Sequence, residues 1–338
     1  DGDMTTHFLM PFDSNQISLN STGSLRNLPN LQHYVSSITP ISNALKTLSG
    51  TLLFAISFQG SEDIASPSDI ESLDKNFSLT LNDLSFSYDD ILVKGINGRW
   101  LLSGTHVMNT NESATLSVDS IDIGFPITDL NINSTSLFDF KRYYINDEMN
   151  LTFDVSLFDA QLLGGEIYNF KPFTINAIDS TSSLVLKAKN LQLTEILALN
   201  QLENLEGTGS LNGTFPVLIN EQGIEIHNGK LKSIAPGGEI RYSLDEANKA
   251  FVSQQAGLNL ATDILENFHY SELDIVANFS PKGQTHLKNH FFGHNPDKYQ
   301  GTPINLNLNV ELNVLKMIRS LQLSNDISDN IENRFSDK

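Results

Sequence analysis

The sequence has no cysteine, which removes disulfide staples, thiolate nucleophiles and cysteine-bound metals as ways to hold or use the fold. Basic residues are scarce. Against 40 Asp and Glu stand 21 Lys and Arg, for a formal net charge of -19. Such a chain repels nucleic-acid phosphates and anionic headgroups at long range. Its Lys and Arg occur singly or in short pairs such as Lys141-Arg142, so no basic patch is visible along the sequence and no nucleic-acid partner is expected. Long apolar runs are missing too. No stretch approaches the ~20 residues of a membrane span, and the opening Asp1-Gly2-Asp3-Met4 carries no signal-peptide core, so we expect a soluble, processed or excised piece.

What the chain has is Asn, Ser, Thr and Gly around 39% hydrophobic residues, a mixture that suits strands and turns. Its 338 residues suffice for two ordinary domains or one elongated body. Asn-x-Ser/Thr triplets begin at Asn20, Asn76, Asn111, Asn133, Asn150, Asn212 and Asn278. This composition generates them by chance, and glycosylation is not expected.

Period-two alternation is the strongest signal. Ile304, Leu306, Leu308, Val310 and Leu312 alternate with Asn and Glu; Leu151, Phe153, Val155 and Leu157 alternate with Thr152, Asp154 and Ser156; Phe77, Leu79 and Leu81 alternate with Ser78, Thr80 and Asn82. Each predicts a strand wet on one face. Leu52 to Phe58 and Leu273 to Phe279 repeat the design. Phase changes from Leu81 to Leu84 and from Val118 to Ile121 imply bulges or tight turns. Antiparallel meanders fit this spacing. Helices are expected near 30–48, interrupted at Pro40, and near 194–202, 245–268 and 314–335, each able to cover sheet. A boundary between Asn169 and Ser183 divides the chain into an amino-terminal part, 1–183, and a carboxy-terminal part, 184–338.

Searches for chemistry return little. Gly207-Thr208-Gly209-Ser210-Leu211-Asn212-Gly213 resembles a dinucleotide fingerprint, but it follows a helix and enters a strand, the reverse of the required order. Glycines that permit bends or close packing are the better reading. His286, His290 and His294 are evenly spaced, yet Gly293, Asn295 and Pro296 predict a turn that separates the third ring, so no metal site is expected. The pairs Glu62-Asp63, Asp89-Asp90 and Asp147-Glu148 sit in turn-like contexts and read as hydrated surface. No serine-hydrolase elbow or zinc-hydrolase helix occurs. No cofactor and no catalytic residue is assigned.

Over residues 184–335 several separated blocks occur in order: the helix around Leu193 to Leu199, the stretch Gly207 to Pro216, Gly223-Ile224-Glu225-Ile226-His227-Asn228-Gly229, Gly238-Glu239-Ile240-Arg241-Tyr242, Ala261 to Tyr270, and Gly293-His294-Asn295-Pro296 before the strand Pro303 to Leu312. Together they resemble the YdbH family of AsmA-like, TamB-related bacterial envelope proteins; residues 1–183 match it only in style. The resemblance implies a periplasmic protein that carries phospholipid along a sheet curled into an apolar groove. It also implies an inner-membrane anchor, absent from this chain, and docking to a small outer-membrane lipoprotein.

The expected fold is therefore mainly β: an elongated, curled antiparallel sheet forming a groove, with a few covering helices. The same alternation fits an ordinary sandwich, and periodicity does not separate the two. The expected function is non-catalytic binding of phospholipid acyl chains. Candidate lining residues are Phe77, Leu79, Leu81, Leu151, Phe153, Val155, Leu157, Ile304, Leu306, Leu308, Val310 and Leu312. The alternatives are an interaction module that accepts a partner strand along Ile304 to Leu312, and a glycan hydrolase whose separated carboxylates meet only in the fold.

Overall fold

A computed structural model describes residues 2–9, 16–26, 45–61, 73–88, 91–110, 112–139, 150–176, 181–199, 204–243 and 256–322. The described chain is mainly β, with antiparallel pairing in every strand pair of known register. It divides into two compact units, one of residues 1–160 with 171–183, the other of 161–170 with 184–338.

Unit 1 carries β1 (Gly2–Leu9), β2 (Gln16–Leu25), β3 (Leu45–Ser61), β4 (Asp74–Tyr88), β5 (Ile91–Gly104), β6 (Val107–Thr110), β7 (Ala114–Asp122), β8 (Pro126–Asp139), nearly all of β9 (Asn150–Leu162), and β11 (Phe173–Asn176), the strand that follows β10 (Gly165–Asn169). The ladder runs β1-β2-β3-β4-β5. Then β5 pairs with β6 at one end and β7 at the other, and both pair with β8. β9 lies beside β8, where Ser156 Oγ donates to Asn133 O at 3.1 Å.

The phase slip at Leu81 is a bulge. Asp83 adopts φ 50°, and pairing with β5 jumps from Leu81 to Leu84. A bulge strips backbone groups of their ladder partners, and these must be satisfied otherwise. Here Asp83 N–H donates to Asn97 Oδ1 at 2.9 Å, Gly95 N–H donates to Ser85 Oγ at 3.0 Å, and Asn97 Nδ2 donates to Gly95 O at 3.1 Å. On the neighbouring strand Gly50, φ 106°, leaves room for the displaced backbone, since a Cβ there would sit 2.4 Å from Asp83 O. Gly95 at φ 67° and Asp129 at φ 51° mark the second slip, on the strands either side of β7. Successive bulges bend the strands they interrupt.

Unit 2 carries β10, nearly all of β12 (Ser182–Gln192), α1 (Leu193–Ala198), β13 (Leu205–Gly207), β14 (Ser210–Asn220), β15 (Gly223–Ser233), β16 (Gly238–Tyr242), α2 (Ala256–Leu265), β17 (Phe268–Phe279), β18 (Gln284–His294) and β19 (Ile304–Asn313). The ladder runs β10-β12-β14-β15-β17-β18-β19, with β16 pairing both β13 and β17. Its core gathers the alternate residues Leu211, Leu273, Ile275 and Phe291 with Phe268 and Tyr270, and Leu193 of α1 and Ile264 of α2 close over it. Phe268 meets Phe291 edge to face at 6.3 Å.

Among the described residues, helix covers less than the sequence expectation. Residues 45–48 open β3 as strand, while 27–44 lie outside the described residues. α1 overlaps the second expected helix, starting one residue before it, and α2 falls within the third, but Phe268 opens β17. Residues 314–322 are helical, and the rest of that segment lies outside the described residues.

Candidate functional site

The apolar residues Phe77, Leu79 and Leu81 of β4 face a cavity. Cross-strand register sets Ile56, Phe77, Leu102 and Thr110 in one rung across β3, β4, β5 and β6, where Ser136 N–H of β8 donates to Thr110 Oγ1, with Phe58, Lys75, Met108 and Phe138 in the next. Side chains of one rung share a sheet face. On that face lies a cavity of about 520 Å³, lined among the described residues by β3, β4, β5, β6, β8 and β9 and by no helix. One face of a flat sheet encloses nothing, so a hollow bounded by a single run of strands requires that run to curl around it.

Leu79, Leu81, Trp100, Leu151 and Phe153 complete the wall. Lys75, Asn76 and Ser136 are its polar members. Asn76 turns its amide to Ser57 Oγ. The Lys75 stem lines the hollow while its ammonium donates to Leu73 O at 3.0 Å and Thr105 O at 2.8 Å, so its buried charge is held by carbonyls. Ser136 Oγ is buried and makes no hydrogen bond among the described residues. Among the described residues no Asp, Glu or His lines the cavity. The described wall is one that can hold hydrocarbon.

The twelve residues singled out in the sequence fall in different places. Phe77, Leu79, Leu81, Leu151 and Phe153 line this cavity. Further along β9, Val155 is buried in the protein and Leu157 is exposed. Ile304, Leu306 and Leu308 pack against the unit 2 core, Val310 is exposed, and Leu312 is half-buried. Ile304 also borders a hollow with Leu260 and Tyr299. Trp100, Leu102, Met108 and Phe138 are cavity residues that alternation did not select. Gly98-Arg99-Trp100-Leu101-Leu102 has no clean period, and the β8 partners of the cavity strands are masked by Asn, Ser and Thr; only the register reveals them.

The motifs weighed for other chemistry have structural roles. Gly209 adopts φ 107°, and a Cβ there would lie 2.3 Å from Tyr270 Oη, which donates to Thr208 O at 2.6 Å. Burial pushes the Tyr270 phenol up to about 12. The glycine run is thus the seat of a buried tyrosine. Asn295, fully buried, donates to the α2 carbonyls of Asp263 and Ile264 and accepts from the N–H groups of Asp297 and Lys298, clipping the helix end to the loop after β18. Lys298 bridges Asp263 and Glu266, and those carboxylates hold its ammonium pKa above the usual lysine range. The turn expected at Gly293, Asn295 and Pro296 begins only after the third histidine, because β18 continues through His294. Four residues of strand place successive histidines ~13 Å apart, too far to share one ion. They have separate partners: His286 meets Glu311 and His290 meets Asn305, while His294 packs on the His269 ring.

Among the described residues no helix is long and apolar enough to cross a membrane. No curated protein and no solved structure matches the chain. Among protein families, residues 17–336 match the YdbH-like family, described as intermembrane phospholipid transport protein YdbH. The match takes in residues 17–183 as well as the part whose motifs carried the resemblance, and it joins a mainly β, antiparallel chain with an apolar hollow on its sheet to a family of lipid transport rather than of enzymes: the chain belongs to the YdbH-like family.

Proposed function

We propose that the unit 1 cavity holds phospholipid acyl chains, and that the chain is a non-catalytic periplasmic segment of an intermembrane phospholipid bridge. The carrying observation is a hydrocarbon-lined hollow formed by the curl of one sheet. At ~0.8 kcal/mol per buried methylene, an acyl chain of about sixteen carbons drawn into water costs on the order of 12 kcal/mol. A lining with almost no polar groups removes that cost without fixing the chain at one place, which is what passage requires. Tails are held and headgroups stay in water. Gentle purification followed by lipid mass spectrometry is expected to find co-purifying phospholipid, depleted when Leu79→Gln sets an amide into the wall. Lipid-free protein that also takes up none from added phospholipid contradicts the reading.

A strand-addition role has its own support. Among the described residues β19 pairs with β18 alone, leaving ten residues of edge. An open edge of this length is a template for another strand. We infer docking of a small outer-membrane lipoprotein there. Leu308→Pro is expected to abolish its pull-down, and undiminished capture by the folded variant counts against the edge.

A further inference from the structure

The sequence shows no basic patch, yet strand register builds one on unit 2. Lys187 and Lys189 lie two residues apart on β12, and Lys230 and Lys232 two apart on β15, so each pair shares the sheet face opposite the core residues Ala188 and Leu231. β14 runs between them, with Asn212 opposite Lys232 and Thr214 opposite Lys230. Strand and residue spacings place the four stems at the corners of a rectangle of roughly 7 by 10 Å. All four border one cleft of about 800 Å³. Carboxylates meet two of them at ion-pair limits, Asp274 to Lys232 and Glu166 to Lys189, both at 3.6 Å, which leaves positive charge in excess.

An aromatic ring stands beside this charge. Phe170 is 63% exposed, and Lys187 Nζ, which donates to Thr214 Oγ1 at 2.8 Å, lies 5.4 Å from its ring centroid. Lysines alone could hold any anion. An exposed apolar ring beside them suits a layer in which phosphates lie next to glycerol and acyl carbons.

We infer that this cleft docks unit 2 on an anionic phospholipid surface, with the lysines on headgroup phosphates and Phe170 entering the headgroup layer. The rectangle is about as wide as the ~8 Å screening length at physiological salt, so its local field acts at contact while the net charge of -19 opposes distant approach. Docking is therefore short-ranged and salt-sensitive. It does not depend on acyl binding in unit 1, and either can fail alone.

The test is flotation of the full chain with phosphatidylcholine vesicles, with and without phosphatidylglycerol, at low salt. The chain is expected to float with the phosphatidylglycerol vesicles only. Near such a surface each lysine contributes about a fivefold change in partition, so Lys230→Gln with Lys232→Gln weakens flotation roughly twenty-five-fold. The exposed pair Lys94→Gln with Lys316→Gln leaves it unchanged, and Phe170→Ala weakens it without altering charge. Inorganic phosphate at the same phosphate concentration does not compete. Equal flotation with both vesicle types, wild-type flotation of the Lys230/Lys232 variant, or displacement by inorganic phosphate overturns the assignment; the last marks a free-anion site instead.

Discussion

Single residues give some of this chain's asparagines and glycines a backbone role. Three times an asparagine oxygen accepts the N–H of a residue at positive φ on the next strand: Asn97 for Asp83, Asn212 for Asn190, and Asn278 for Asn228. Two of these, Asn212 and Asn278, begin glycosylation-like triplets, so their presence has a backbone explanation. Gly209 makes room for Tyr270, and Gly209→Ala, forced to φ 107° against the phenol, is expected to cost on the order of 3 kcal/mol in a denaturant titration. Tyr270 also sets a pH dependence. Its phenol titrates near 12 in the folded chain against about 10 when unfolded, so the unfolded state loses this proton first. Its contribution to stability is complete below about pH 10 and is lost as pH rises toward 12. Thermal melts across that window are expected to fall for the wild type and to fall less steeply for Tyr270→Phe.

Strands, as elements, were legible wherever one face is polar. The alternations at Phe77 to Leu81, Leu151 to Leu157 and Ile304 to Leu312 all lie in strands, and the slip after Leu81 is a bulge. Helix ends were less legible, because the apolar stripe that ends α2 continues without a break into Phe268, whose strand role comes from pairing with Ile240. Pairing also decides which strands face the same hollow. Trp100 and Phe138 enter the cavity through partners far along the chain, and no local pattern contains that information. The same reason hid the lysine rectangle, whose two halves are separated by some forty residues of sequence. The bulge in β4 is held by side chains. Asn97→Ala removes the acceptor of Asp83 N–H and the donor to Gly95 O, and is expected to destabilise unit 1 by about 1 kcal/mol, read as a lowered denaturation midpoint with unchanged slope.

At the scale of the molecule, two antiparallel β units of one lipid-transport family chain hold different chemistry: a hydrocarbon hollow in the first, a closed aromatic core with a cationic outer face in the second. Periodicity had left groove and sandwich open, since both need one apolar face per strand. What distinguishes them is whether that face meets another layer, and among the described residues of unit 1 apolar residues of β3, β4, β5, β6, β8 and β9 border a cavity instead. Trp100, the chain's single tryptophan, stands in that wall and so reports on its contents. The most direct measurement is quenching of Trp100 fluorescence by phospholipid carrying bromine on its acyl chains, with unbrominated lipid as the reference. The account predicts strong quenching that saturates with bound lipid and is weakened in Leu79→Gln. Lipid that binds the chain while Trp100 emission stays unquenched would contradict it.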